Sequence, residues 1–328
     1  MTPAPLLTLR NLRVRARGTE RTLVRDVSLD VDTAESVALV GESGSGKSMS
    51  IKAAMRLLPP GMTAEGHIRF DASNVLELNR RDLARYRARD VALIHQDPRA
   101  HINPTRTIAQ FVTEGVVCAG QLSEDEAIER ACTLMRDVGI DDAPRRMAQF
   151  PHQLSGGLLQ RVMIVAALLP SPRLIFADEP TTALDVTVQS DVLAILLEQI
   201  RDRQLAMLFV THDLDLAAAV TDRVAVMYAG SIVETGTSAE VCERPLHPYT
   251  AGLLASRPST TEVRRLTAIP GRPVAAYEVG EGCPFAPRCS FATDECRTQR
   301  PQQRTVQGRS VACHHAEDIV DRLPERAS

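Results

Sequence analysis

A lysine and a serine close a glycine-rich stretch, Gly41-Glu42-Ser43-Gly44-Ser45-Gly46-Lys47-Ser48. The apolar run Val37-Ala38-Leu39-Val40 before it reads as a buried strand. Residues 49–58 after it read as a helix stopped by Pro59-Pro60. Strand, G-x-x-x-x-G-K-S and helix, in that order, are the context a phosphate-binding loop requires. Gly41, Gly44 and Gly46, with Ser43 and Ser45 between them, let backbone N–H groups turn inward around phosphate oxygens, and the helix N-terminus adds partial positive charge. Lys47 would reach the β- and γ-phosphates, and the Ser48 hydroxyl would sit on Mg²⁺. The chemistry indicated is nucleotide binding.

An acidic pair follows a second apolar run. Leu174-Ile175-Phe176-Ala177 reads as a buried strand with Asp178 and Glu179 at its C-terminal end, the edge where ligand chemistry collects in an open α/β sheet. Asp178 is suited to hold Mg²⁺ through water, and Glu179 to orient and deprotonate an attacking water. Phosphoryl transfer asks for little beyond charge neutralisation, a positioned nucleophile and in-line geometry. Gln96, delivered into a loop by Val91-Ala92-Leu93-Ile94, and His212, at the end of residues 206–210, gain weight only as members of this set. Leu154-Ser155-Gly156-Gly157, ahead of a helix over residues 158–169, presents a second anion-binding helix start.

Four of the seven cysteines fall in the last fifty residues as C-x5-C-x6-C-x16-C: Cys283, Cys289, Cys296 and Cys313. A metal centre would staple such a short, proline-rich segment, which has too little core of its own. Structural zinc uses tighter C-x2-4-C pairs, whereas wider spacing suits an iron–sulfur cluster. Zinc and unliganded thiols remain the alternatives, and His314 or His315 could replace one ligand.

Around these residues the chain alternates strand and helix signals. Residues 6–40 alternate apolar and polar in short bursts, a strand-rich antiparallel opening. Residues 107–149 carry helical periodicity without a strand signal, with Ser123 as an N-cap ahead of Glu124-Asp125-Glu126. Residues 186–201 read as a helix, and residues 206–210, 224–227 and 231–234 as strands. After Pro245, proline and glycine become frequent. The expectation is an α/β fold in two parts. Residues 1–245 form a phosphate-loop core with an antiparallel β subdomain and a helical insertion over about 100–170, and residues 246–328 form a small, irregular metal-binding domain.

At 328 residues and 44% hydrophobic content the chain can bury a sizeable core. A net charge of −3 gives no reason to expect nucleic acid as a partner. No apolar run approaches the roughly 18 residues that would span a bilayer, and residues 1–7 lack the pattern of a signal peptide. A cytosolic setting is expected, in which cysteines serve as thiols or metal ligands rather than disulfides.

Taken in order, residues 41–48, Gln96, Leu154-Ser155-Gly156-Gly157, residues 174–179, Ala183-Leu184-Asp185 and His212 resemble the Walker A, Q-loop, signature, Walker B, D-loop and H-loop of ATP-binding cassette (ABC) ATPases. The resemblance covers about residues 6–245. It implies two cassettes paired head to tail, with Ser155, Gly156, Gly157 and Asp185 of one chain serving the partner's ATP. It also implies Gln96 on the metal and relaying its state to membrane helices, and His212 on the γ-phosphate. Where the family usually places an adenine-stacking aromatic, this chain has Ala16, and no aromatic precedes Phe70. Arg13, Arg15 and Arg17 are the cations that could stack instead. Leu159 stands where a polar or basic residue is commoner.

Leu246-His247-Pro248-Tyr249-Thr250, Ile269-Pro270-Gly271, Gly282-Cys283-Pro284-Phe285 and Arg288-Cys289 are similar to the C-terminal extension of the oligopeptide and dipeptide permease branch. Residues 179–189 and Asn103-Pro104 point the same way. That resemblance implies a [4Fe–4S] cluster on the four cysteines, and ATP hydrolysis powering a di- or oligopeptide importer from the cytoplasmic face of the membrane. It further implies two transmembrane permease subunits, a second ATPase of a different chain and an extracytoplasmic substrate-binding protein. The competing reading is a soluble cassette in a multi-enzyme complex, such as one for phosphonate breakdown.

Overall fold

The computed structural model describes residues 4–19, 21–181, 185–256 and 268–323. Its strands are β1 (Leu7–Ala16), β2 (Thr22–Val31), β3 (Ser36–Val40), β4 (Met62–Phe70), β5 (Ser73–Asn74), β6 (Val91–Ile94), β7 (Leu174–Asp178), β8 (Ala206–Thr211), β9 (Arg223–Tyr228), β10 (Ser231–Thr237), β11 (Arg304–Val306) and β12 (Arg309–Val311). They divide between two compact units, one comprising Met1–Val31, Ser36–Leu76 and Phe209–Ser328, the other Asp32–Glu35 and Glu77–Leu208. β8 passes from the second unit into the first.

In the first unit β2, β1, β4 and β5 lie in that order as an antiparallel sheet. Leu7, Leu9, Leu12 and Val14 of β1 are all buried, although strict alternation would put positions 9 and 12 on opposite faces. A register slip between Leu9 and Leu12 reconciles them, with Asn11 at φ 49°. A bulge of this kind restores the phase of the buried face.

The same unit carries β3 parallel to β9, β9 antiparallel to β10, and β12 and β11 added beyond β10. β9 and β10 are joined by Ala229 and Gly230, at φ 44° and 82°. Two positive φ values in a two-residue loop match the twist of a hairpin. The buried faces of β3 and β9 pack around Tyr228, Tyr249 and Phe285. The segment after Pro245 reads as irregular in sequence, yet it contains the β11–β12 hairpin. Three-residue strands carry too few alternations to signal themselves.

In the second unit β6 and β7 run parallel. The expected helical insertion resolves into helices Ile108–Cys118, Glu124–Asp137 and Ala143–Met147. Thr107 with Gln110, and Ser123 with Glu126, form reciprocal capping boxes that start the first two. Helix Gly156–Leu168 packs on both of these helices.

One helix boundary differs from expectation. The helix after the glycine-rich loop ends at Ala54, well before Pro59. Arg56 adopts φ 52°, and the Leu57 N–H returns to the Lys52 carbonyl at 2.7 Å. A left-handed residue closes the helix without the usual glycine signal. No helix among the described residues is long and apolar enough to cross a membrane.

Candidate functional site

β3 feeds residues 41–48 into helix Lys47–Ala54. A Cβ on Gly41 would lie 2.1 Å from the Met227 carbonyl oxygen. At Gly46, φ is 104° and a Cβ would sit 2.8 Å from the Leu23 carbonyl. Only glycine allows the loop this close to β9 and β2. The Gly230 N–H ties the loop down by donating to the Ser45 carbonyl at 2.9 Å. Lys47 is buried and folds back, its Nζ donating to the carbonyls of Gly41 at 2.7 Å and Glu42 at 3.1 Å. Ser45 Oγ is buried without a hydrogen-bond partner. An orphaned hydroxyl, a cradle closed to side chains and a helix start with no acid in its first turn fit a phosphate group.

In the second unit the apolar run of β7 is fully buried and delivers Asp178 to its end. Glu179 follows at φ 47°, a conformation that costs a non-glycine residue of order 1–3 kcal/mol and collects at functional sites. Gln96 Nε2 donates to Glu179 Oε2 at 3.4 Å. The fold thus joins two residues that sequence places 83 positions apart.

Ser155 caps helix Gly156–Leu168, its Oγ accepting from the Leu158 N–H at 3.4 Å, and stays exposed. Gly157 is pressed against the Val188 side chain, 2.6 Å from where a Cβ would stand. Asp185 caps helix Val186–Asp202 through the Val188 N–H at 3.1 Å. Thr182, Ala183 and Leu184 lie outside the described residues. His212 belongs to the first unit, between the end of β8 and the Asp213 cap of helix Leu214–Val220.

The four tail cysteines line one small cavity with His247, Phe285 and Phe291. All four are free thiols. Burial pushes the Cys289 thiol up to about 11 and Cys313 to about 12, and raises Cys283 as well. Yet no group of three or more His, Cys, Asp or Glu side chains among the described residues is placed to hold a metal ion. The expectation of a metal-binding domain is therefore not borne out as a formed centre. The fold supplies a shared cavity of about 20 Å³ with thiols around it. His247 is fully enclosed, and burial pushes its imidazole down to about 3. Neutral, its Nδ1 accepts from the Tyr249 N–H at 3.0 Å and caps helix Pro248–Ala255.

Comparison with known proteins matches residues 24–182 to the ABC transporter family and residues 233–296 to the C-terminal region of oligopeptide/dipeptide transporters. The oligopeptide transport ATP-binding protein OppD of Bacillus subtilis is 42% identical over 88% of this chain and 82% of its own. OppD of Escherichia coli is 38% identical over 94% and 92%. The chain belongs to the ABC transporter ATPases of the oligopeptide and dipeptide branch. Among solved structures, cbiO1 of Clostridium perfringens, part of the ABC transporter complex cbiONQ, superposes with a TM-score of 0.63 at 26% identity, covering 73% of this chain and 91% of that one. The ATP-binding cassette MJ0796 bound to ADP and Pi gives 0.62 at 26% identity, over 71% and 98%.

As an ABC ATPase, the chain accounts for two of its departures in sequence. Leu159 is 1% exposed, so an apolar residue there is a packing choice. Of the three arginines near Ala16, Arg13 pairs with Asp26 at 2.6 Å and Arg15 pairs with Glu65. Arg17 has no ion-pair partner among the described residues. Sequence reasoning passed over Tyr277, which is 40% exposed and carries the Arg21 guanidinium 4.5 Å from its ring centre. It also assigned no role to Glu42, Tyr249 or Arg288, which the structure brings together. The signal available was Glu42 itself, an acid inside a loop built for anions.

Proposed function

We propose that the chain is the ATP-hydrolysing subunit of a membrane importer for di- or oligopeptides, working at the cytoplasmic face as one half of a head-to-tail cassette pair. What carries this reading is that relatives named for oligopeptide transport match the cassette and the tail together, over 88% and 94% of the chain. The partners on this reading are two transmembrane subunits, a second ATPase of a different chain and an extracytoplasmic binding protein that selects the peptide. Residues 1–245 serve as the nucleotide-binding domain and residues 246–328 as its extension.

Within the site, Gly41, Ser43, Gly44, Ser45, Gly46 and Lys47 receive the phosphates. Ser48, Gln96 and Asp178 would hold Mg²⁺, which supplies charge neutralisation when bound. Glu179 orients and deprotonates the attacking water, and its contact with Gln96 at 3.4 Å supports a shared site. His212 holds the γ-phosphate, while Ser155, Gly156, Gly157 and Asp185 complete the second cassette's site. Of the three arginines that could stack on the base, Arg13 and Arg15 are taken up by ion pairs, which leaves Arg17 for that role. Substituting Glu179→Gln is expected to abolish turnover while ATP binding and partner association persist, and near-normal hydrolysis would remove Glu179 from this role. Mild detergent extraction should bring down two multi-span proteins and a second cassette. Recovery of soluble enzymes alone would overturn the importer.

For the tail, Cys283, Cys289, Cys296 and Cys313 would hold a [4Fe–4S] cluster as a structural staple. Support comes from four unpaired cysteines lining one cavity and from their wide spacing in sequence, which suits a cluster better than the close pairs of structural zinc. Protein purified without oxygen should be brown, with iron and sulfide in near-equal amounts. Colourless protein with one equivalent of zinc would overturn this.

A further inference from the structure

An acid inside a polyphosphate-binding loop is out of place on charge alone, because like charges in partly desolvated surroundings repel. Glu42 is nevertheless held there at three points. Its carboxylate receives both terminal nitrogens of Arg288, Nη1 to Oε2 at 2.7 Å and Nη2 to Oε1 at 3.1 Å. Its N–H donates to the Tyr249 hydroxyl at 2.9 Å, and its carbonyl accepts from Lys47 Nζ at 3.1 Å. A two-pronged guanidinium–carboxylate pair fixes direction as well as charge.

Arg288 is itself anchored. Its side chain is 4% exposed, against 23% for Glu42. Its Nε donates to the Pro270 carbonyl at 2.8 Å, and Nη1 lies 3.4 Å from the Tyr228 hydroxyl. Tyr228 and Tyr249 stand 4.6 Å apart between ring centres, and Phe285 packs on both at 5.3 and 5.4 Å. Arg288 immediately precedes Cys289, and Phe285 lies two residues after Cys283. The backbone that carries two of the pocket thiols therefore also carries the groups that reach the loop.

We propose that Arg288 and Tyr249 are positioning residues for the phosphate loop, neutralising and fixing Glu42 so that nucleotide affinity depends on a folded cysteine tail. Arg288 cancels the one charge in the loop that opposes the ligand. Tyr249 occupies the Glu42 N–H and so sets how the loop turns away from β3. Coupling of this kind is reciprocal: what loosens the thiol pocket weakens ATP, and bound ATP steadies the pocket. The inference rests on reading residues 41–48 as the phosphate loop.

The test is an ATP titration of the full chain and its variants at low and high salt. Arg288→Met is expected to weaken binding on the order of tenfold, more at low salt, by leaving Glu42 charged and unpaired. Adding Glu42→Gln to that variant should recover most of the loss, which a purely structural role for Arg288 would not allow. Tyr249→Phe should weaken binding a few-fold. Unchanged affinity in Arg288→Met, or a double variant as weak as the single one, overturns the proposal. If Arg288→Met does not fold, Arg288→Lys takes its place. It keeps the charge and loses the fork, so affinity should fall only a few-fold, and a loss there that Glu42→Gln does not recover overturns the proposal. Lys47→Ala separates the two readings. Normal ATP binding in that variant defeats the phosphate-loop assignment itself, whereas lost binding there with full binding in Arg288→Met defeats only the inference about Arg288.

Discussion

Residues 41–48 and the tail from residue 276 onward each wrap a small space, one suited to phosphate and one lined by thiols. In the loop the main chain does the wrapping. Gly41 and Gly46 admit no side chain, and a loop of this kind offers backbone N–H donors to an anion. In the tail, guanidinium groups take the place of regular structure. Arg304 donates to the carbonyls of Cys313 and His314 and pairs with Glu317. Arg309, 5% exposed, donates to the carbonyls of Glu240 and Arg244 and pairs with the fully buried Glu234. A backbone site depends on which residues are absent, and a side-chain site on which are present. The first should fail to any added atom and the second to lost charge.

The sharpest break should come at Gly41. Alanine there cannot be placed without moving β9, since its Cβ would overlap the Met227 carbonyl. ATP binding, followed by titration, should fall by more than about a hundredfold. Arg309→Met should instead leave the ATP contacts in place and destabilise the fold by about 3–5 kcal/mol, because Glu234 would be buried without its cation. Urea unfolding measures this, and Arg309→Met with Glu234→Gln should recover part of the loss.

The mildest effect concerns His247, whose folded pKa of about 3 lies below the ordinary 6.5. The unfolded chain binds this proton more readily, so stability is full above pH 6.5 and declines as pH falls towards 3. The slope is about 1.4 kcal/mol per pH unit. The urea midpoint should drop between pH 6.5 and 5.5, and His247→Gln should flatten that part of the profile.

Sequence makes the loop legible because glycine spacing and a lysine dictate one backbone path. Asp178 and Glu179 are legible because four buried apolar residues point them at a sheet edge. Gln96 is legible only as a member of the ordered motif set, and the structure adds its contact with Glu179. The Arg288–Glu42 pair bridges 246 positions and has no period to reveal it. The end of the first helix is hidden for a local reason: Arg56 takes a left-handed turn that nothing in its chemistry announces. The four cysteines stand out in the chain, but their spacing says which residues gather, not whether they close on an ion.

The β11–β12 hairpin has a consequence for the edge of the sheet it closes. β10 pairs with β9 on one side, and its other side is capped by Glu234 opposite Val311, Thr235 opposite Ser310, and the Ala312 N–H on the Val233 carbonyl at 2.8 Å. The outermost strand is then only three residues long, with Arg304 at its start. A chain cut before residue 300 would bare the open hydrogen-bonding row of β10, where Ile232 and Val233 are nearly buried. Such a row is a template for another molecule's strand. The last hairpin is thus a guard against clumping, and a shortened cassette should be lost to precipitation before it could be scored for transport.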